Sequence, residues 1–291
     1  MKHQKQLATA LLLAAACSLQ AQRSETLLEK NWKFSKGDIK EASQPEFNDT
    51  QWESVVLPHD WAIEGEFSKD NPSGTGGGAL PGGIGWYRKT FTVDKADEGK
   101  RLYIDFDGVY MNSEVFINGH SLGVRPYGYV SFSYDLTPHI KWGGKNVVAV
   151  RVDNAEQPNS RWYSGCGIYR NVWLTKLNPV HIAQWGTFIT VQDVSKNSAR
   201  LNIRTKIQYD AAAQLQDSVK QADGTYVVFD SEIVSLADVV LQSRLMDAEG
   251  NVVDEVASEL QVIPACPNEV EQEIVVKNPN LWSVNTPYIY K

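Results

Sequence analysis

Residues 101–119 read RLYIDFDGVYMNSEVFING, and this stretch decides the fold class. Apolar and polar side chains alternate over residues 102–107, which is the period-two pattern of a strand with one buried face. Residues 114–117 form a second apolar run that ends at Asn118-Gly119, a dipeptide suited to the positive φ angles of a type I′ hairpin turn. The stretch therefore predicts short β-strands joined by tight turns.

The same pattern continues along the chain on the C-terminal side of this stretch. Strands are predicted at residues 147–152, 171–175, 187–191, 199–209, 238–246, 252–256 and 270–276. Residues 247–251 (DAEGN) separate two of these runs as a tight hairpin loop. Only residues 211–220 have a helical composition, and they are predicted to form an insertion between strands. Many short strands with Gly, Pro and Asn between them are typical of sandwiches and barrels, so the fold is predicted to be all-β.

A change in composition near Leu177-Asn178-Pro179 predicts a domain boundary, and a chain of 291 residues fits two domains. Residues 23–178 are rich in Trp and Gly, and their length suits a jelly-roll sandwich. Residues 179–291 hold plainer strands, and their length suits an immunoglobulin-like β-sandwich.

Residues 1–21 have the composition of a signal peptide. A basic segment precedes an apolar run of eleven residues at 7–17, which is shorter than the roughly 18 residues that a transmembrane helix needs. We favour cleavage after Ala21, because Ala14 stands where a lipobox has Leu or Val. Lipidation of Cys17 is the alternative. Both modes of processing predict an exported protein, either periplasmic or anchored to a membrane through Cys17.

Charge and cysteine content exclude several classes of function. The formal net charge is −7, which argues against a nucleic-acid footprint and against docking on anionic lipid. The cysteines Cys166 and Cys266 do not make a disulfide framework. No CxxC, HExxH, GxSxG or phosphate-loop pattern occurs, so neither a structural zinc site nor an α/β-hydrolase nor a phosphate site is predicted.

One irregular stretch, residues 68–85 (SKDNPSGTGGGALPGGIG), holds seven glycines from Gly74 to Gly85. So many glycines indicate a loop whose backbone adopts conformations closed to other residues. Because the loop interrupts a predicted domain, we interpret it as shaped to lie against another domain or a ligand. A plain linker is the alternative.

The most specific pattern is a strand that ends in RVDN at residues 151–154, followed by RWYSGCGIYRNVWL at residues 161–174. It resembles glycoside hydrolase family 2, the β-galactosidase, β-glucuronidase and β-mannosidase family, in which a strand ending in Asp precedes a W-x-x-x-G-I-[YF]-R-x-V-x-L run. Further matches in the family's order are LPHDW at 57–61, GWYRKTF at 85–91, VFING at 115–119, and PNLWS at 279–283 with NTPY at 285–288. The resemblance spans residues 27–290 and is strongest to exported β-galactosidases of gut-type Gram-negative bacteria.

The resemblance implies that the predicted jelly roll is of the galactose-binding type, with a sugar subsite at the end of the strand that carries Asp153 and Asn154. Asp153 corresponds to a carboxylate that contacts substrate and in some members also binds Na⁺, and an acceptor-only carboxylate suits the bridging of two sugar hydroxyls. The alternative role of Asp153 is to cap the following turn. Arg161 and Trp162 are candidates to line the same pocket, with a structural ion pair and a core position as their alternatives. A second family contact, an Asn, falls at residues 82–83, which are glycines here.

The resemblance also places catalysis outside this sequence. In the family, two glutamates in a following (β/α)₈ barrel act as acid/base and nucleophile, and retaining chemistry needs two carboxyls about 5–5.5 Å apart. No βα repeat occurs here, so no catalytic residue is expected in the chain. Alternation restarts at residues 288–291 as a last strand of the second domain, and the chain is therefore expected to be truncated before the barrel. No cofactor is predicted for this part, whereas the resemblance implies Na⁺ or Mg²⁺ in the full enzyme.

Two functions from different classes follow. The favoured one is the non-catalytic N-terminal part of an exported family 2 exo-glycosidase, a β-galactosidase working by double displacement, with β-glucuronidase and β-mannosidase as alternatives. The other is a stand-alone carbohydrate-binding or scaffold module. The predicted partners are a carbohydrate substrate and the missing barrel, without nucleic acid or a transmembrane helix, and a homo-oligomer stays open.

Overall fold

A computed structural model describes residues 23–160, 162–210, 218–220, 226–228 and 236–291. The predicted signal peptide with Cys17, and the candidate Arg161, lie outside these residues. The predicted all-β fold is confirmed, because strands and short 3₁₀ helices make up the regular structure that is described. The chain divides into two compact units, one ending at Leu177 and the other starting at Asn178. No helix among the described residues is both long enough and apolar enough to cross a membrane.

The first unit consists of two antiparallel sheets. Its strands are β1 (Arg23–Leu27), β2 (Trp32–Lys36), β3 (Glu53–Val55), β4 (Gly83–Thr92), β5 (Arg101–Phe106), β6 (Ser113–Ile117), β7 (His120–Arg125), β8 (Phe132–Asp135), β9 (Lys145–Asn154) and β10 (Val172–Leu177). The 3₁₀ helices are Lys40–Ser43, Thr75–Gly77, Lys95–Asp97 and Thr137–His139. The strand orders are β1-β10-β5-β8 and β3-β2-β4-β9-β6-β7, so the unit is a sandwich.

The core of this sandwich comes from the period-two pattern of its strands. Leu102, Ile104 and Phe106 are at most 1% exposed and pack in the same cluster as inward-facing residues of the other sheet. Asn118 and Gly119 connect β6 to β7 with φ angles of 48° and 87°, the two positive values that a type I′ turn requires. The strand and turn prediction for residues 101–119 is confirmed.

Arg88 in β4 is buried on the opposite face of its sheet. Its Nε donates to Asp49 at 2.8 Å, and its other nitrogens donate to four carbonyl oxygens of residues 42–47. The side chain of Phe47 also lies beneath the guanidinium, 5.4 Å from ring centre to Cζ. One arginine therefore fastens the irregular segment between β2 and β3 to the sheet.

The second unit has strands β11 (Val180–Gln192), β12 (Ser198–Tyr209), β13 (Ser218–Lys220), β14 (Tyr226–Val228), β15 (Ala237–Met246), β16 (Val252–Val262) and β17 (Asn268–Lys277). Its sheets are β11-β12-β17, β15-β16 and β13-β14. The helical interpretation of residues 211–220 is wrong at residues 218–220, which pair with the strand-favouring Tyr226–Val228, and residues 211–217 lie outside the described part.

A buried glutamine joins the two larger sheets of this unit. Gln272 in β17 is 4% exposed and donates to the carbonyl of Leu241 at 3.0 Å and to the hydroxyl of Ser258 at 2.9 Å. Its Oε1 accepts from the Ser243 hydroxyl at 2.7 Å. Both partner strands therefore bind one amide, which is fully satisfied inside the core.

The predicted strand at residues 288–291 is not formed as such. Lys291 alone exchanges backbone hydrogen bonds with Met246, at 2.7 and 2.9 Å, next to the end of β15. The predicted hairpin loop is confirmed, because the amide of Asp247 donates to the carbonyl of Asn251 at 2.9 Å.

Candidate functional site

Asp153 lies at the end of β9, where the central strands of the larger sheet open onto loops. Its amide donates to the carbonyl of Met111 at 2.9 Å, and its Oδ1 accepts from the amide of Ala155 at 3.0 Å. Its Oδ2 accepts from Arg151 at 3.1 Å, and the side chain stays 27% exposed. The turn-capping contact given above as the alternative role is present, and the carboxylate also faces solvent.

Arg151 lies two residues before Asp153 on β9 and orients its carboxylate. Its guanidinium holds Asp38 in a two-point contact at 2.9 and 3.2 Å, in addition to Asp153. The hydrogen bond from Arg151 lowers the pKa of Asp38, and the same bond raises the pKa of Arg151. Because Asp38 is the two-point partner, Arg151 stays fixed whether or not Asp153 keeps its charge.

Asn154, in contrast, is a support inside the loop structure. It is 1% exposed, and its Nδ2 donates to the sulfur of Cys166 at 3.0 Å and to the carbonyl of Gly165 at 3.4 Å. Its Oδ1 accepts from the amide groups of Gln157, at 2.8 Å, and Asn159. The hydrogen-bonding capacity of this amide is used within the protein.

Trp162 is 80% exposed, so the core position considered as its alternative is wrong. Its neighbour Arg161 is the candidate that lies outside the described residues. A large, exposed indole at the edge of a polar loop offers an apolar face to a ligand.

Exposed tyrosines are linked to the same loop. The hydroxyl of Tyr110 donates to Asn159 at 3.4 Å, and the Tyr110 ring packs against Tyr129 at a centroid distance of 5.2 Å. Tyr127 and Tyr129 are 59% and 55% exposed. We call Asp153, Trp162, Tyr127 and Tyr129 the aromatic rim, a set of one partly exposed carboxylate and three exposed rings on or next to the loop that follows β9.

The LPHDW segment at residues 57–61, which was not among the predicted site residues, packs against this loop. Asp60 Oδ1 accepts from the amides of Ala62 at 2.9 Å and Cys166 at 2.8 Å, and Oδ2 accepts from the Tyr163 hydroxyl. Burial, followed by this hydrogen bond to Asp60, raises the pKa of Tyr163. The sequence signal that pointed to Asp60 was the LPHDW motif, which precedes the GCGI segment in the family's order and contacts that segment in the structure.

Gly167 shows how closely these two segments approach. Its φ is +127°, and a Cβ there would lie 2.3 Å from the Tyr87 hydroxyl. That hydroxyl is within 2.6 Å of His59 Nδ1, and His59 Nε2 lies 3.2 Å from Glu64. Only glycine leaves room for this buried contact.

The glycine-rich stretch, residues 68–85, belongs wholly to the first unit, so its interpretation as a linker is wrong. Its prediction as a loop is wrong at residues 83–85, which are the start of β4 and pair with β9. It closes on itself through the Ser73 hydroxyl, which donates to the Leu80 carbonyl at 2.7 Å. A Cβ at Gly82 would lie 2.6 Å from the carbonyl of Asn154, so the loop lies against the end of β9. Residues 82–83 therefore lie beside the end of the strand that carries Asp153.

The residues around Asp153 do not fit a Na⁺ site by themselves. The carboxylate already has a cation at 3.1 Å, Arg151, which would repel a metal ion. No group of three His, Cys, Asp or Glu side chains in the described residues is arranged to hold a metal ion. Metal binding at Asp153 stays a prediction from the resemblance.

Cys166 is expected to resist alkylation. Burial raises the pKa of its thiol to about 11, whereas Cys266 is exposed, and both are free. Because the thiolate is the nucleophile, iodoacetamide at pH 8 should modify Cys266 and leave Cys166 unmodified in the folded protein. Peptide mass spectrometry before and after denaturation measures this, and equal labelling of both residues in the folded state would contradict the buried position of Cys166.

Comparisons with known proteins identify relatives of this chain. The family model described as the sugar binding domain of glycosyl hydrolases family 2 matches residues 27–178. Beta-galactosidase BoGH2A of Bacteroides ovatus is 53% identical over 276 residues, which cover 95% of this chain and 30% of that protein. A beta-glucuronidase of Bacteroides fragilis is 34% identical over 256 residues, with 81% of this chain and 34% of that protein covered.

A solved structure is also similar. A glycosyl hydrolase family 2 member from Bacteroides cellulosilyticus has a TM-score of 0.80 and 33% identity, and the match covers 91% of this chain and 32% of that one. The chain thus spans about a third of the length of the relatives it matches. The family model covers just over half of the chain, including Asp153, the LPHDW segment and the glycine-rich loop. The chain therefore belongs to glycosyl hydrolase family 2.

Proposed function

We propose that this chain is the non-catalytic N-terminal part of an exported β-galactosidase that hydrolyses terminal β-galactosides with retention of configuration. The observation that carries the proposal is the 53% identity to beta-galactosidase BoGH2A over 95% of this chain. The signal-peptide composition of residues 1–21 supports export.

The aromatic rim supports a role in sugar binding. The Asp153 carboxylate is an acceptor only, is partly exposed and is oriented by Arg151, so it suits two hydroxyls of a terminal sugar. The exposed ring of Trp162 suits the apolar face of a pyranose. In this proposal the rim positions the sugar, and two carboxyl groups from outside this chain perform the displacement.

A β-glucuronidase is the second candidate, and the Bacteroides fragilis relative favours it. The two activities differ at C6 of the sugar, where a glucuronide carries a carboxylate and a galactoside a hydroxymethyl group. A site that fits the neutral hydroxymethyl group of a galactoside offers no cation to the carboxylate of a glucuronide, and an unpaired charge in the site strongly disfavours binding of the glucuronide.

We expect the full-length enzyme to hydrolyse an aryl β-galactoside with a kcat/KM at least ~100-fold above that for the matching β-glucuronide. Residues 22–291 alone should hydrolyse neither, because they lack the pair of carboxyls. Initial rates with both substrates measure the preference. A reversed preference would replace β-galactosidase by β-glucuronidase, and turnover by residues 22–291 that survives re-purification would contradict the non-catalytic role.

A further inference from the structure

A cleft of about 800 Å³ opens at the other end of the first unit from Asp153. Strand β4 starts beside Asn154 and ends at Thr92, and Lys89 and residues 91–95 line the cleft together with β1 and with Lys176 of β10. The volume lies within the range of about 300–1,000 Å³ that is typical of small-molecule sites. Neither the family match nor the aromatic rim assigns a role to this cleft.

Lys89 is a charged side chain on the inner face of β4. It follows Tyr87 by two residues and therefore points between the sheets, where it is 9% exposed. Its ammonium donates to the carbonyl of Lys30 at 2.7 Å and lies 6.0 Å from the ring centre of the buried Trp32. Among the described residues no carboxylate forms an ion pair with it, and burial lowers the pKa of Lys89.

The other charged groups of the cleft have partners. Lys95 pairs with a neighbouring glutamate at 2.7 Å, and Lys176 pairs with Asp97. The carboxylate of Asp94 accepts from the amide of Ala96 at 2.9 Å. An ammonium has three donors and Lys89 uses one of them in the described structure, so this group is left with capacity for an anion.

We propose that this cleft binds a small organic carboxylate, with its anionic group on Lys89 and its apolar face against Phe91 and Leu174. Both apolar residues are partly buried and pack against the core, so they form a firm wall. Ser24, Thr26 and Thr92 also line the cleft, and each carries a hydroxyl that can act as a further donor. The inference is independent of the proposed β-galactosidase activity.

Sodium benzoate is a suitable probe, because it combines one carboxylate with a flat apolar ring, and benzamide has the same shape without the charge. We expect isothermal titration of the full chain to show saturable binding of benzoate and at least tenfold weaker binding of benzamide. Lys89→Met should reduce benzoate binding by at least tenfold, since hydrogen bonds to charged groups are among the strong ones.

Lys89→Met keeps the length and the apolar stem of the side chain and gives up a single hydrogen bond, to the carbonyl of Lys30, so this variant should still fold, and its melting temperature checks this. Lys95→Met is the matched control at the mouth of the same cleft and should bind benzoate as the wild type does. The proposal is overturned by equal benzoate binding in Lys89→Met, by equal binding of benzamide, by an equal loss in Lys95→Met, or by no saturable binding of benzoate at millimolar concentration.

Discussion

Replacing Asp153 by Asn is expected to lower kcat/KM of the full-length enzyme by roughly tenfold to a hundredfold. The substitution keeps the shape of the side chain, removes its charge and replaces one acceptor by a donor. Hydrogen bonds to charged groups contribute about 1.5–3 kcal/mol, and those that tighten as the sugar ring flattens act on the transition state. Steady-state kinetics with an aryl β-galactoside measures the change.

The stability of this variant should change little. An asparagine oxygen can still accept from the Ala155 amide, and Arg151 keeps its two-point contact with Asp38. The lost pair is partly exposed, and such pairs contribute at most about 1 kcal/mol. A melting temperature measured on the same sample therefore separates a sugar contact from a purely structural cap.

Asp38→Asn is the matched control, because Asp38 shares Arg151 with Asp153. It should leave kcat/KM near the wild-type value if Asp153 acts by touching the substrate. A loss of activity in Asp38→Asn equal to that in Asp153→Asn would mean that the effect comes from the position of Arg151. Wild-type kcat/KM in a stable Asp153→Asn variant would remove this residue from the sugar site.

The second large effect is expected for Arg88→Met, which should lower the free energy of unfolding of the first unit by about 3–5 kcal/mol. The substitution leaves Asp49 and four carbonyl oxygens of residues 42–47 without their donor. Methionine fills much of the volume, so the loss reports on polar partners left unsatisfied in a buried place.

Arg23→Met is the control for removing an arginine from the same unit, because its pair with Glu25 is at the surface. It should lower the unfolding free energy by less than about 1 kcal/mol. Urea denaturation of the three proteins, followed by tryptophan fluorescence, gives the comparison. Equal stability of Arg88→Met and the wild type would show that residues 42–47 do not depend on this arginine.

The strands could be predicted because apolar and polar side chains alternate along them. Leu102, Ile104 and Phe106 alternate with more polar neighbours, and the Asn118-Gly119 turn needs only local backbone angles. The helical prediction was wrong at residues 218–220, because their strand is defined by pairing with Tyr226–Val228, a contact that composition does not report.

The candidate site was harder to predict, because the role of a polar residue depends on partners far away in sequence. Asn154 and Asp153 are neighbours in one motif, but only the structure shows that the first is buried among loop residues and the second is partly exposed. Asp60 was missed for the same reason, since its partner Tyr163 lies about a hundred residues away.

Gln272 has a consequence for how the second unit avoids misassembly. The inward positions of β17 are otherwise mostly apolar, so a slip of two residues would still present apolar side chains such as Ile274 to the core. Such a slip would move the amide away from Leu241, Ser243 and Ser258, and leave polar groups unsatisfied in a dry interior. The glutamine therefore selects the native register of β17 over registers shifted by two residues, which the apolar side chains alone would not distinguish.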